Sequence, residues 1–303
     1  MASFHRIGRP PVMTPTTPSD TWHRAVESGG RGEYASALTA LARLEQTLAQ
    51  GGGPWSPDAA ALLSLSRSTR ASLFRQAGRH RRAHVLDGRA LAAVARAGIP
   101  IEQVGARDPA RHSLTRAAAA DALVGLAADN LGLLRFDAAR RLLDRAFCVL
   151  DPQESGSVIG AWSRGAAQGE WATSTRCRLR WEWVSAELGL YRGDIAAGLE
   201  HARAGAELIR EREAAGLKTP TRHRVKTTLI AAAATLGAGD PGGAASVARD
   251  VVRDARRHGL GPLEWAATSL LLGTGEASDD EVRRHRRLRA TLVGKGMALE
   301  PEG

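Results

Sequence analysis

The feature that most constrains the fold of this chain is a spaced pattern of small residues. A small residue is followed seven places on by a turn residue, usually Gly, then two places further by an apolar or aromatic residue, and three places further by another small residue. The pattern occurs five times, at Ala25/Gly32/Tyr34/Ala37, Ala71/Gly78/His80/Ala83, Ala127/Leu134/Phe136/Ala139, Ala186/Gly193/Ile195/Gly198 and Ala232/Gly239/Pro241/Ala244. This spacing predicts pairs of closely packed helices, each joined by a tight turn and stacked on the next pair. Such a stack offers an extended surface for holding a partner.

Helix N-termini are marked along the chain by capping residues. A Ser, Thr or Asp directly before Pro places a capping side chain ahead of a proline at the first helical position. Such pairs, and one Ser-x-x-Glu capping box, stand at Ser56-Pro57, Asp108-Pro109, Thr219-Pro220, Asp240-Pro241 and Ser278/Glu281. Together with apolar residues that recur every three or four places, these signals predict an all-α fold.

The predicted helices fill the chain between two short terminal segments. We predict helices near 19–29, 33–50, 57–77, 80–97, 109–133, 136–150, 170–191, 194–215, 220–237, 241–258, 262–272 and 279–294. Residues 1–18, which include four prolines, are predicted to form a disordered N-terminal arm, and residues 296–303 a flexible tail. Residues 19–295 form the predicted helical repeat domain. Its long connections, 98–108 and 151–169, fall between helix pairs.

One copy of the pattern resembles the tetratricopeptide repeat. Its matching residues are Leu123, Leu126, Ala127, Phe136, Ala139, Leu143 and Ala146, followed by Leu150-Asp151-Pro152. It departs from the family at Asn130, where an aromatic residue is usual, and at Leu134, where Gly is usual. The other copies match only at their small and turn positions, and successive copies lie 46 to 59 residues apart. The resemblance implies a degenerate array over about residues 20–260, an α-α superhelix of about five to six helical hairpins.

The resemblance also implies a concave face, lined by the first helix of each pair, that binds a peptide or protein segment. Carried onto this chain, the main groove positions are Arg75, Arg180, Trp183, Glu187 and Lys226. Three apolar positions would join them, namely Val124, Leu131 and Leu229. Because Trp and Arg dominate interface energetics, this set predicts a protein-interaction scaffold or regulatory adaptor. Trp183 has a second interpretation, in which it fills the gap between adjacent pairs, and both stay open.

The charge of the chain points to a second class of function. The net charge is +10, although an excess of Arg over Lys is typical of a bacterial genome of high GC content and weakens the signal. Residues 58–116 carry eleven basic against four acidic residues, and residues 217–275 carry eight against four. The densest basic patch is formed by Arg79, Arg81 and Arg82. The alternative prediction is therefore nucleic-acid binding through the two basic segments, which we rank below a protein partner.

We predict no catalytic, cofactor or metal site. Cys148 and Cys177 are too few for a disulfide framework, and the His80/His84 pair has zinc-ligand spacing but no third ligand. Residues 237–242 match a GxGxxG loop, but the alanine-rich run before them favours a helix over the strand that a dinucleotide site needs. No apolar run approaches the roughly 20 residues of a membrane span. We expect a cytoplasmic protein that is not an enzyme and has no membrane partner.

Overall fold

A computed structural model describes residues 17–50, 56–96, 113–150 and 170–299, and these residues are helical without a β-strand. The predicted all-α class is therefore confirmed for the described part of the chain. Its helices are α1 Pro18–Gly30, α2 Tyr34–Ala49, α3 Pro57–Gln76, α4 His80–Ala95, α5 Ser113–Gly132, α6 Phe136–Leu150, α7 Arg176–Tyr191, α8 Ile195–Ala214, α9 Thr221–Gly237, α10 Pro241–Arg257, α11 Gly261–Thr274 and α12 Asp279–Gly294. One π-helical turn, Trp171–Thr175, leads into α7. None of these helices is long and apolar enough to cross a bilayer.

Capping side chains explain where several helices begin. Ser56 and Asp240 each accept a hydrogen bond from the N–H of the third helical residue, as their position before Pro predicts. Ser278 and Glu281 form the predicted capping box at the start of α12. The Asp108-Pro109 pair lies outside the described residues. These caps satisfy backbone donors that the first helical turn would otherwise leave unpaired.

Three helix starts differ from the sequence prediction. Helix α7 begins at Arg176, six residues after the predicted start at 170, because the π-helical turn Trp171–Thr175 precedes it. Helix α9 begins at Thr221, with Pro220 as its N-cap residue and no capping side chain, so the predicted cap at Thr219 is wrong. A second capping box, which was not predicted from the sequence, stands at the start of α1. There Thr17 accepts from the N–H of Asp20, and the Asp20 carboxylate accepts from the N–H of Thr17.

The turns of the repeated pattern share one backbone geometry. The turn residue has a positive φ in every copy, between 76° and 86° at the four glycines and 59° at Leu134. A left-handed conformation costs a residue with a side chain roughly 1–2 kcal/mol relative to glycine. Leu134 carries this cost with its side chain 67% exposed. The small residues at either end of each copy are buried, which lets the paired helices approach closely.

The order of helix contacts follows the chain. Each helix packs on its neighbour in sequence, and each odd-numbered helix also packs on the next odd-numbered helix, from α1 through α11. Successive even-numbered helices touch one another only weakly. The odd-numbered helices therefore form a continuous layer, and the even-numbered helices lie against it.

The last helix pair also contacts the first two. The backbone N–H of Ala35 donates to the carbonyl of Lys295 at 3.0 Å, and the Lys295 ammonium pairs with Glu33 at 2.7 Å. The Arg79 guanidinium donates to the carbonyl of Ala298 at 3.0 Å. The first and last helix pairs are thus joined by contacts between residues more than two hundred positions apart, which no local pattern predicts.

The segment that follows α12 corrects the predicted tail boundary. Met297 is 2% exposed, its N–H donates to the carbonyl of Leu292, and Leu299 is partly buried, so the segment predicted as a flexible tail begins with residues that pack on the fold. Residues 300–303 lie outside the described part of the chain. At the other end, α1 begins at Pro18, inside the predicted N-terminal arm, and residues 1–16 lie outside the description.

Candidate binding face of the odd-numbered helices

Four of the five main predicted groove residues lie on the neighbouring helices α7 and α9. The Lys226 ammonium of α9 lies 3.3 Å from the Glu187 carboxylate of α7, and both side chains are about 30% exposed. The indole N–H of Trp183 donates to the hydroxyl of Thr227 across the same pair of helices at 2.9 Å. Arg180, on α7, bonds the Asp121 carboxylate of α5. A cation, a carboxylate and an aromatic ring therefore meet on one face.

Trp183 combines the two interpretations of its role. It is partly buried, and it packs against apolar residues of α7, α8 and α9. Its ring stacks on His223 with centroids 5.8 Å apart and an interplanar angle of 26°. Trp171 also contacts His223, edge-on, with ring centroids 4.8 Å apart. Trp183 thus fills the gap between adjacent helix pairs and keeps part of its ring at the surface.

Arg75 lies in a separate buried ion network, which we call the Arg75 node and which consists of Arg75, Asp87 and Asp129. The Arg75 Nε donates to Asp129 at 2.7 Å, while Nη2 contacts Asp87 and donates to the carbonyl of Gly125 at 3.2 Å. Both carboxylate side chains are 0% exposed. Burial raises the pKa of Asp87 well above its usual value, against the opposing charge of Arg75. The hydrogen bonds that Arg75 donates thus join α3, α4 and α5.

The three apolar groove positions are core residues. Val124, Leu131 and Leu229 are 1%, 4% and 6% exposed, so their assignment to a binding face is wrong. Because each points into the contacts between helices, they contribute to stability rather than to a surface. Helical periodicity alone did not distinguish the two faces of α5, which is buried along nearly its whole length.

A second ion network, which the sequence did not predict, lies between α5 and α7. We call it the Asp121 cluster, and it consists of Asp121, Arg176 and Arg180. Arg176 bonds one Asp121 oxygen at 2.6 Å, and Arg180 bonds the other. Burial acts to raise the pKa of Asp121, but the charges of Arg176 and Arg180 outweigh it and lower that pKa.

Arg222 stands in the first turn of α9 and packs on α1. Its Cδ lies 3.0 Å from the position that a Cβ on Gly30 would take, which places its stem against the C-terminal end of α1. Burial and the positive charges of Arg180 and Arg176 lower the pKa of Arg222, although the nearby Tyr34 acts in the opposite direction. Burial and these three guanidinium groups also lower the pKa of His223 well below its usual value, so its ring stays neutral.

One sequence signal could have indicated the Asp121 cluster. Asp121 interrupts the apolar run 117–128, and a carboxylate inside a buried run requires a cationic partner. Arg176 and Arg180 stand four residues apart and therefore share a helix face. The signal gives the kind of partner but not its position, because 59 residues separate Asp121 from Arg180.

The predicted basic patch is partly engaged within the fold. Arg79 binds the carbonyl of Ala298, and the Arg82 guanidinium lies 4.1 Å from the centroid of the Phe74 ring. Arg81 is exposed. Many other cations of the two basic segments pair with carboxylates, at Arg67 and Arg70 with Glu45, Arg224 with Glu213, Arg249 with Glu281 and Arg256 with Glu264. These pairs reduce the positive potential that the formal charge suggests.

A shallow groove lies at the edge formed by the α5–α6 and α7–α8 turns. It encloses about 640 Å³, and its apolar residues are Leu134, Phe136 and Tyr191. Leu134 and Tyr191 are 67% and 63% exposed, the highest values among the large hydrophobic side chains of the described residues. Arg135 and Arg141 lie on its rim. This edge is a second surface with apolar and cationic character.

The GxGxxG match at 237–242 and the His80/His84 pair both lie in helix contacts or turns of the described fold. The run before Gly239 is helix α9, and Gly239 itself forms the turn to α10, so residues 237–242 follow no strand. His80 packs directly against Gly132, and the His84 ring lies 3.5 Å from the Asn130 amide, both at the contact of α4 with α5. Within the described ranges, no three His, Cys, Asp or Glu side chains converge as metal ligands.

Comparison with known proteins gives no further assignment. No protein-family model matches this chain, and no curated protein sequence matches it. The geometry of the described residues is therefore the basis for a functional proposal.

Proposed function

We propose that this protein is a tetratricopeptide-like helical repeat protein that acts as an interaction scaffold or regulatory adaptor. Its partner is a peptide or protein segment bound on the face formed by the odd-numbered helices. The observation that carries the proposal is the meeting of Arg180, Trp183, Glu187 and Lys226 on α7 and α9. Partly exposed Trp and cationic side chains on one rigid face are typical of interaction hot spots.

The order of helix contacts supports the repeat architecture. The odd-numbered helices pack side by side, whereas the even-numbered helices are farther apart, which is the arrangement of a curved α-α superhelix with the odd-numbered helices inside. Five turns with positive φ at the pattern positions support the same architecture. Six helix pairs would then present one continuous inner surface.

The exposed charges favour an acidic segment with an apolar anchor. Lys226 and Glu187 form a partly exposed pair, which an incoming carboxylate can open at small cost because surface ion pairs contribute at most about 1 kcal/mol. Trp183 offers an apolar surface beside that pair. A partner carboxylate on Lys226 and a partner side chain on Trp183 would occupy adjacent positions.

The test is selection of binding peptides from a random displayed library, followed by fluorescence anisotropy with the selected peptides. We expect Lys226→Ala to weaken binding at least tenfold. Arg253→Ala is the matched control, because it removes one cation from an exposed ion pair on the even-numbered helix α10 and should change binding less than twofold. Failure to select any peptide, or equal effects of the two substitutions, would contradict the proposal.

Nucleic-acid binding through residues 58–116 and 217–275 is the second candidate. The exposed Arg81 and Arg82 beside Phe74 are the observation in its favour, and the many paired cations are the observation against it. A nucleic-acid complex requires affinity that falls steeply with salt, with a slope that reports several phosphate contacts. Titration of a fluorescent oligonucleotide at several salt concentrations separates this candidate from peptide binding.

A further inference from the structure

The groove at the α5–α6 and α7–α8 turns carries large apolar side chains where the other copies of the repeated pattern have small or polar residues. We call it the turn groove, and its main lining residues are Leu134, Arg135, Phe136, Arg141, Tyr191 and Arg192. Leu134 occupies the turn position, which is Gly in the other four copies. Tyr191 stands two residues before the turn of its own copy, where the others have Gly or Gln. The repeated helix pair therefore forms without either side chain.

Leu134 adopts a backbone conformation that is unfavourable for its residue type. Its φ is 59°, in the left-handed region that glycine occupies freely and that disfavours a side chain. The side chain is 67% exposed, so burial recovers little of this cost. Backbone strain of this kind is concentrated at functional sites. A strained and exposed Leu that the core does not use indicates a contact with another molecule.

Contacts between the two turns hold the apolar side chains of the groove together. Phe136 is the first residue of α6 and Tyr191 the last residue of α7, and their ring centroids lie 6.3 Å apart. Beside them the Arg192 guanidinium donates to the Asp137 carboxylate at 2.8 Å. Tyr191 is nevertheless 63% exposed. One apolar surface thus spans two helix pairs, and because it is built on helix ends it loses little conformational entropy when it binds.

The rim of the turn groove has an excess of positive charge. Arg192 and Asp137 pair with each other. The side chains of Arg135 and Arg141 are exposed, and within the part of the chain that the structure describes they form no ion pair or hydrogen bond. Two cations with free donors beside an apolar surface complement an acidic segment that also carries an apolar side chain.

We propose that the turn groove docks an acidic peptide segment of another protein through one large apolar side chain. That side chain would lie on Leu134 and Tyr191, and flanking Asp or Glu residues would bind Arg135 and Arg141. The turn groove is a second docking surface of the molecule. It goes beyond the segment binding proposed above and includes neither Lys226 nor Glu187.

The charges and the shape of the groove disfavour two other occupants. In a twofold contact between copies of this chain, each copy would present the same patch, so Arg135 and Arg141 would face the same two cations and be repelled. A nucleic acid requires several phosphate contacts, and the turn groove offers two unpaired cations. Leu134, its most exposed apolar residue, has no ring on which a base could stack.

The experiment is selection of displayed random peptides on the full chain, after depletion of the library on the Tyr191→Ser variant. We expect peptides that combine a large apolar residue with Asp or Glu. In fluorescence anisotropy with a selected peptide, Tyr191→Ser should weaken binding at least tenfold and Arg141→Gln at least threefold. Val293→Ser is the matched control, because it removes a side chain that is 45% exposed on α12, and it should change affinity less than twofold.

Three results of this experiment would overturn the proposal. The first is recovery of no binding peptide, and the second is selection of basic peptides. The third is an equal effect of Tyr191→Ser and Val293→Ser.

A second measurement separates a docking role of Leu134 from a structural one. Leu134→Gly removes the apolar side chain and relieves the left-handed backbone. The variant should therefore unfold at the same temperature as the wild type or higher, while it binds the selected peptide at least tenfold more weakly. A lower unfolding temperature would mean that Leu134 stabilises the fold. That result, or unchanged peptide binding, would overturn the proposal.

Three further outcomes would assign the groove or the peptide differently, and each would overturn the proposal. A wild-type dimer in sedimentation velocity that Tyr191→Ser dissociates would make the occupant a second copy. A single-stranded oligonucleotide that displaces the peptide from the wild type, but binds Arg141→Gln weakly, would make it a nucleic acid. Loss of peptide binding in Lys226→Ala without loss in Tyr191→Ser would place the peptide on the face of the odd-numbered helices. The last outcome would leave the proposed function standing, so the two proposals can fail separately.

Discussion

The Arg75 node and the Asp121 cluster are both ion networks between packed helices, but their charge ratios are opposite. In the node one guanidinium contacts two carboxylates that are 0% exposed. In the cluster two guanidinium groups bond one carboxylate that is 4% exposed. Burial accordingly raises the pKa of Asp87, whereas the charges of Arg176 and Arg180 prevail over burial and lower the pKa of Asp121.

The two networks therefore differ in the sign of their excess charge. Arg75 directs its donors to Asp87, Asp129 and the carbonyl of Gly125, so the node joins three helices and keeps an excess of buried negative charge. In the Asp121 cluster the excess charge is positive, and the Arg176 and Arg180 side chains keep 13% and 19% of their surface exposed. The following substitutions test that distinction.

The largest effect is expected from Arg75→Met. The change leaves Asp87 and Asp129 buried without a cation, and loss of one partner from a buried ion pair costs about 3–5 kcal/mol. Equilibrium urea unfolding measures the loss. Phosphate should not restore it, because the deficit is of positive charge. A loss below about 1 kcal/mol would show that the node does not hold α3, α4 and α5 together.

Asp121→Asn should have the next largest effect. It leaves Arg176 and Arg180 without their carboxylate, and orphaning partly buried charged donors costs about 2–3 kcal/mol. Here phosphate is expected to restore part of the unfolding free energy, since it supplies the missing negative charge. Urea titrations with and without phosphate provide the test. Equal stability in both buffers would remove the contrast between the two networks.

Gly125→Ala tests how tightly the Arg75 node is packed. A Cβ at this position would lie 2.3 Å from an oxygen of Asp87, so we expect a destabilisation of about 1–2 kcal/mol from overpacking. Gly88→Ala is the matched control, because no atom lies within 4 Å of a Cβ there and alanine favours the helix. Thermal unfolding of both variants gives the comparison, and a stable Gly125→Ala variant would show that Asp87 can move.

The smallest effect is a difference in pH dependence. Because its pKa is lowered, Asp121 contributes stability above the usual value of 3.8 that is lost as the pH falls through the folded-state pKa. Because its pKa is raised, Asp87 contributes stability below 3.8 that is lost as the pH rises toward its folded-state pKa. Asp121→Asn should therefore reduce the fall in the free energy of unfolding as the pH drops below 3.8. Asp87→Asn should reduce the fall in the free energy of unfolding as the pH rises above about 4. Each pKa unit corresponds to about 1.4 kcal/mol. Identical profiles would contradict the assignment.

The helices were predictable from the sequence because their signals are local. Caps such as Ser56 and turn glycines such as Gly193 act within a few residues. The predicted helix ends agree with the structure to within one or two positions where those residues are described, except that α7 begins at Arg176, after a π-helical turn, and not at residue 170. The ion networks were not predictable, since Arg75 and Asp129 are 54 residues apart and any of many arginines could have paired with them. At Leu134 the turn forms with a positive φ although the residue is not glycine, so the turn geometry could not be predicted from the residue type at that position.

The contact between the first and last helix pairs has a consequence for folding. In a linear repeat array the terminal repeats have one neighbour each, so they fray first and unfolding can spread inward from either end. Here Lys295 and Glu33 give the terminal pairs a second neighbour, and Arg79 extends that contact to the α3–α4 turn. Helix pairs that are joined at both ends offer no free end from which unfolding can spread. The described helices are therefore expected to unfold in one cooperative transition, like a globular domain rather than a string of modules.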